Sequence, residues 1–542
     1  MRKPKKSRVR RTACRSVRLA VWCLREGVFA VNSASLLRQA ILTIVVPSLM
    51  LGLCATAIPA AVSGGALVMG LGGDPGSLSP CPMSSTDERA FVQLTYDDFI
   101  DYDAATLKRV NTGALQSWTA SPDHMSFTLR LWPNMKFHDG SPATAEDVKW
   151  SIQQAQGADC PRTTSLLNRI GSVTVVDPLT VKVTLKQADS IFEDSLTWIW
   201  LIKNGTAVKD LAAKENGTGG FKMARWDHAQ QIVLNRDPNY RIKGRPYLDS
   251  VIIKVVPDDA VRLLQLNTGA IQMTEAFPFA SVNDIKKNPN LQWLQVPAGQ
   301  SLAVYVLELN DTKAPFNNKL VRQAAAWAID RQKIQQALFG LFDPRPWSIP
   351  KGSPFFAGGQ TDYSQRNIAK AKELLAQAGS PSPEFTLHYF SGFFDYPVVA
   401  QIVGQSMQEA GFKVNFAVGD LNQYIAQVLT APYNYQAGIS GLLPAPNVYD
   451  QINHIYDTDE GLAYQYDKVN PSFYQKLDAA RSLGDPNAFK KAIQELQMIT
   501  NDEQPIVVIG AQVRAAVASK KVHGYIPHAQ ARPYLINTWV EH

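Results

Sequence analysis

The 542-residue chain has few cysteines and histidines, and beyond its first sixty residues it has no excess of positive charge. Of five cysteines, Cys14, Cys23 and Cys54 fall early, which leaves Cys81 and Cys160 for the body of the chain. No C-x-x-C, H-E-x-x-H or Cys/His cluster occurs, so nothing in the pattern supports a dedicated metal site. G-x-S-x-G is missing too, and the neighbourhoods His138-Asp139, Asp227-His228 and His454 near Asp457 have no paired nucleophile, which argues against a hydrolase. The formal charge of +7 is concentrated in the leader: residues 1–60 hold 11 Lys or Arg against Glu26, a net of +10, leaving −3 for the remaining 482. A nucleic-acid partner is therefore not implied.

One long uncharged apolar run is present, Ala40 to Val62, behind a basic stretch containing Arg2, Lys3, Lys5, Lys6, Arg8, Arg10 and Arg11. Small residues at Ala55, Ala57, Ala60 and Ala61 offer signal-peptidase-like sites, so residues 1–63 are expected to direct export. The run is also long enough to span a bilayer, so a retained N-terminal anchor is the alternative. Cys54 in "LGLC" fits a lipoprotein signal poorly, because Leu53 stands where a small residue is wanted. In an oxidising compartment Cys81 and Cys160 either pair or stay as separate thiols, and the spacing does not choose.

Two glycine-rich stretches are decoys. Gly70-Leu71-Gly72 follows a strand, but the third glycine is misplaced and Pro75 and Pro80 come next, so the dinucleotide fingerprint fails. "ENGTGGFK" lacks the Walker spacing, and no Ser or Thr follows Lys222. The stretch "LRLWPNMKFHDGSPATAEDVKW" (Leu129–Trp150) reads as a period-2 strand, a turn at Asp139-Gly140, and a helix opened by Thr144 with Asp147 three residues on. His138 there reads as scaffold. Further along, "FTLHYF", "PVVAQIVGQSMQEAG" and "FKVNFAV" alternate strand, helix, strand from Phe385 to Val418, the mark of an α/β domain.

The ordered set "LQSW…FTLRL…KFHDGSPATAEDVKWSI", "NGTGGFK…LNRDPNY", "LELNDTKAPFNNKLVRQAAAWAIDR" and "AKAKELLAQAG" resembles the family 5 extracellular solute-binding proteins, the oligopeptide- and dipeptide-binding components of ABC importers. The resemblance runs over nearly all of residues 66–530. It implies a type II-like periplasmic binding protein, an α/β fold with two lobes joined by a hinge and an extra domain on the first lobe. By that analogy lobe I is residues 64–80, 213–300 and 505–542, the extra domain 81–212 and lobe II 301–504, with crossings near Val296–Ser301 and Asp502–Pro505. It implies no catalysis and no cofactor. The expected partners are a peptide or other small ligand and ABC permease subunits with their ATPase, the protein being a periplasmic monomer that touches the membrane only through the permease or an uncleaved leader.

Peptide-binding members resemble one another in a "G-W-x-x-D-x-x-x-P"-like segment whose Asp pairs with the ligand ammonium. Here "AGISGLLPAP" (Ala437–Pro446) aligns with it, and Leu442 takes the place of the acid and Ile439 that of the tryptophan. An ammonium buried against leucine forfeits a charge-assisted bond, so a free-amine dipeptide is disfavoured unless Asp420 or Asp450 substitutes. Aromatic candidates for the pocket are Phe393, Phe394 and Tyr396 in "SGFFDYP", then Tyr424 and Tyr449, with Trp347 also considered. Tyr96 and the loop Asp74–Ser79 are expected to close over the ligand. A non-peptide solute such as a sugar, opine or metal chelate, or a sensory role beside a membrane receptor, is the competing expectation, because fold does not fix ligand.

Overall fold

The computed structural model describes residues 61–81, 86–103, 108–164, 166–296, 300–301, 303–391, 395–442, 445, 447–456, 466–530 and 532–541. The leader up to residue 60, Phe393, Phe394 and Pro446 lie outside these. No helix of the described residues is long and apolar enough to cross a membrane.

Among the described residues the larger sheets are three. The first has seven strands in the order Leu291–Gln295, Ala515–Ser519, Met273–Thr274, Ala66–Leu71, Ser250–Val255, Gln231–Arg236 and Phe221–Asp227. Ala66–Leu71 runs parallel to both of its neighbours. The second has six strands, Phe342–Asp343, Ile506–Gln512, Val304–Leu309, Ala437–Leu442, Glu384–Phe390 and Lys413–Gly419. Val304–Leu309 is buried at every position, as its unbroken apolar run demands of a strand covered on both faces. The third is a four-stranded antiparallel sheet containing Leu115–Ala120, Ser126–Leu131, Thr180–Leu185 and Ile170–Asp177.

The expected lobe I piece 505–542 does not hold together. Its first strand, Ile506–Gln512, lies in the six-stranded sheet between Phe342–Asp343 and Val304–Leu309. The chain therefore passes to the seven-stranded sheet between Gln512 and Ala515, not at Asp502–Pro505. The Gln504-Pro505 break ends the helix Pro486–Glu503, with Gln504 in the left-handed region at φ 48°, and marks nothing more. The other passage runs between Gln295 and Val304. The two lie side by side: Val296 N donates to Arg514 O at 3.0 Å and Gln512 N to Ala303 O at 3.0 Å.

The strand-turn-helix stretch proves to be a joint. Thr144 gives both its backbone N–H (2.6 Å) and its hydroxyl (2.8 Å) to Asp147 Oδ2, while Asp147 Oδ1 accepts from Asn204 N at 2.7 Å. The His138 ring pairs through Nδ1 with Glu215 and lies 2.9 Å through Nε2 from Gly219 O. Burial works against the imidazolium, but the hydrogen bond and charge of Glu215 outweigh it and raise the His138 pKa. The glycines of "NGTGGF" have a steric cause: a Cβ at Gly217 or Gly219 would collide with the backbone of Thr95. Cys81 and Cys160 are joined in a disulfide, Cα–Cα 4.9 Å, which settles the choice that spacing left open.

Candidate functional site

Pairing in the six-stranded sheet puts Asp343, Ala511, Val304 and Leu442 in one row across four strands. At roughly 4.8 Å between strands the row is about 14 Å long. It is the end of the sheet beside both passages between the large sheets, and it includes the carboxyl end of Ala437–Leu442, where open α/β sheets bind ligands. Leu442 is half-buried there, whereas Ile439, three residues back, is fully buried in the core.

Around this row the structure gathers hydroxyls and carboxyls. Tyr305 OH donates to Asp395 Oδ2 at 2.5 Å, at the start of the helix Asp395–Glu409. The Tyr396 ring lies 4.4 Å from Phe390 and 5.5 Å from Tyr305, and its hydroxyl fills the space a Cβ would need at Gly441. Burial raises the Asp395 carboxyl, and burial with the adjacent carboxylate raises both tyrosines. Four residues along the strands from the row, beside Gly438, Tyr424, 5.1 Å from the same Phe390, donates its hydroxyl to Glu308 Oε1 at 3.2 Å, and Ser440 donates to the same oxygen. Glu308 is fully buried with Oε2 unpartnered, and burial pushes it up to about 7.

Tyr396 and Tyr424 thus share one aromatic cluster around Phe390, and Leu442 and Tyr449 share another. Tyr96 stands apart from both. It is 1% exposed, packed against Gly217 and within the field of Glu215, so it belongs with the His138 joint. Trp347 is buried edge-on to Phe356 at 5.4 Å. In the loop Asp74–Ser79, Asp74 accepts from Trp226 Nε1 and Ala229 N, both at 2.9 Å, which ties the loop to the turn after Phe221–Asp227. Asp420 caps its own helix by accepting from Gln423 N at 2.8 Å. Asp450 is buried, bonded to Asn447 Nδ2 at 2.7 Å, and pushed up to about 6 by burial, so neither acid is a ready replacement at Leu442.

Several groups near the passages escape a reading of the sequence. Arg514, half-buried, sits in the field of Glu275 and Tyr525 on one side and Tyr305 and Tyr396 on the other. Arg345 is buried beside Ser301, and burial lowers it to about 10. Gln530 Nε2 reaches Ala445 O at 3.4 Å from the far side. A signal existed for Glu308, a lone acid in the apolar strand "VYVLEL", and for Arg514, a lone cation between two apolar strands. Among the described residues no group of three His, Cys, Asp or Glu is placed to hold a metal ion.

Residues 109–460 match the model of the bacterial extracellular solute-binding proteins, family 5. The glutathione-binding protein GsiB of Salmonella typhi is 26% identical over 484 residues, covering 85% of this chain and 91% of that one. The binding protein AgaA of A. tumefaciens, solved with agropinic acid, superposes with a TM-score of 0.74 at 25% identity, covering 88% of this chain and 99% of its own. DppA of Helicobacter pylori, solved with the peptide STSA, gives a TM-score of 0.71 at 23% identity over 89% and 99%. The α/β architecture is that of the type II-like periplasmic binding proteins, and the chain belongs to family 5 of the bacterial extracellular solute-binding proteins.

Proposed function

We propose that this protein is the exported substrate-binding component of an ABC importer, capturing a peptide or peptide-like solute between two lobes and handing it to permease subunits coupled to an ATPase. The single observation that carries this, beside the family, is the row from Asp343 to Leu442 with Tyr305, Asp395 and Tyr396 beside it, set against two adjacent passages between the large sheets. A hinge there closes the lobes because a ligand touching both favours the closed form. The lobes take the boundaries expected from the resemblance, except that the second crossing moves to Val513–Arg514. The protein acts as a periplasmic monomer without catalysis, after leader removal or on a retained anchor. Tyr396, Tyr424 and Tyr449 wall the pocket, and Leu442 meets the ligand where an ammonium would otherwise pair.

GsiB is named for a peptide, glutathione, and AgaA was solved with a non-peptide. The absence of an acid at Leu442 favours keeping the second class in view, as a solute for import or for sensing. A thermal-shift screen of the purified protein decides, since a ligand that binds the native state raises its melting temperature. Free-amine peptides, their N-acetyl forms, sugars, opines and metal chelates form the panel. Stabilisation by peptides whether or not the amine is acetylated supports a peptide pocket with Leu442 in the amine position. Loss on acetylation means that another acid holds the ammonium. Stabilisation by a non-peptide class alone replaces the peptide reading, and no stabilisation by any class defeats both.

A further inference from the structure

Most deeply buried arginines here are structural ties with their donors in use. Arg331 bonds the carbonyls of Ile509 (2.8 Å), Val508 (2.9 Å), Ala326 (3.2 Å) and Tyr363 (2.6 Å). Arg322 bonds Glu503 O and Phe316 O, each at 2.9 Å, and lies 3.3 Å from the Glu503 carboxylate. Arg241 and Arg532 are short of hydrogen bonds, but they face the buried acids Asp97 and Asp98, at 3.8 Å and 3.0 Å. Arg514 has Glu275 in its field.

Arg345 resembles Arg241 in having an acid at ion-pair distance and donors without hydrogen bonds, but here the acid is partly exposed rather than buried. Arg345 itself is 6% exposed, and its Nη2 donates to Ser301 O, yet Nε and Nη1 have no hydrogen-bond partner. The carboxylate beside it, Asp343 Oδ2, is 3.6 Å from Nη1, too far for a hydrogen bond, and is itself 24% exposed. Ser301, 4% exposed, also has a buried hydroxyl without a partner. Buried donors left unmade are costly and mark a place where another group belongs. The place is specific: Ser301 lies on the passage into Val304–Leu309, and Arg345 follows Asp343, the first member of the row that ends about 14 Å away at Leu442.

We propose that Arg345, with the Ser301 hydroxyl, is an anion subsite of the interlobe pocket, and that the solute is an acidic molecule held by a carboxylate at this end of the row. The proposal rests on the binding-protein reading above. A guanidinium presents parallel N–H groups that match a carboxylate in two-point fashion. Leucine at the opposite end of the row rejects an ammonium and accepts an apolar portion. The pocket thus selects by the acid of its solute rather than by its amine.

Calorimetry on the purified protein tests this with glutathione and Ala-Glu, each beside its fully esterified form and its N-acetyl form, and with a sugar and a C-terminally amidated lysine-rich tripeptide as neutral and cationic solutes. The expected result is that a free acid binds, esterification weakens it at least tenfold, and N-acetylation changes it less than threefold. Arg345→Gln weakens the free acid at least tenfold but leaves the ester as it was, with Arg345→Lys between the two. Equal binding of acid and ester, or unchanged binding by Arg345→Gln, overturns the proposal. So does binding confined to the neutral or cationic solutes, an outcome that leaves the binding-protein reading standing. Binding of nothing in this set or in the wider thermal-shift panel defeats that reading and the proposal together. Should Arg345→Gln fail to fold, the acid-against-ester comparison on the parent protein and the Ser301→Ala variant, expected to weaken the acid and not the ester, decide instead.

Discussion

Arg481 and Asp189 form a buried ion pair, Nε to Oδ2 at 2.8 Å with side chains 9% and 0% exposed, that joins the helix Pro471–Arg481 to the segment before Phe192. A second pair runs the other way beside it, Arg169 Nη2 to Asp478 Oδ1 at 2.6 Å, and Ser190 N donates to Arg481 O at 3.2 Å. Ile191 enters the apolar cluster of Tyr449, Phe489 and Ile493 between them. A charge clasp around an apolar plug thus fastens the region of the four-stranded sheet to the helices behind the six-stranded one.

Removing one partner of such a buried pair strands the other charge. Arg481→Met is expected to cost about 3–5 kcal/mol in urea unfolding, and Asp189→Asn added to it to recover part of the loss. Asp478→Asn, whose side chain is 75% exposed, is expected to cost at most about 1 kcal/mol. Equal costs at the two positions refute the distinction.

Glu308 makes stability fall with rising pH. Its carboxyl, held at about 7 against an ordinary 4.5, binds a proton in the folded state that the unfolded chain has already released. That contribution is fully present below pH 4.5 and is lost as pH rises through 7. Glu308→Gln still offers Ser440 and Tyr424 an acceptor without the charge. Its unfolding free energy relative to the parent is expected to improve by about 2–3 kcal/mol between pH 5 and pH 8.5, and parallel pH profiles would show that the acid is not buried as described.

The disulfide closes a loop between residues 79 apart. Reduction, or Cys160→Ser with Cys81→Ser, is expected to lower stability by about 3–4 kcal/mol, read from urea midpoints with and without reductant. An unchanged midpoint argues that the bond is not formed in the purified protein.

His138→Ala leaves Glu215, 3% exposed, with its charge unpaired at the joint to the seven-stranded sheet. A loss of about 3 kcal/mol or more is expected, with ligand affinity in the surviving folded fraction within twofold of the parent. A selective loss of affinity would move His138 from scaffold to site.

Sequence alone determined the local pieces. Thr144 and Asp147 opening a helix, Asp139-Gly140 turning, and the apolar runs "VYVLEL" and "IVVIGAQ" forming strands all follow from capping, turn and burial preferences that act within a few residues. The order of motifs carried the family. Tertiary structure alone decided which sheet Ile506–Gln512 joins, because an apolar strand states that it is buried but not beside which partner. It also decided that Cys81 meets Cys160, that His138 meets Glu215, that burial pushes Glu308 up to about 7 and that Arg345 is left with donors unmade. Each of these depends on what lies within a few ångströms of a polar atom, supplied by residues tens to hundreds of positions away, and no local pattern in the chain records it.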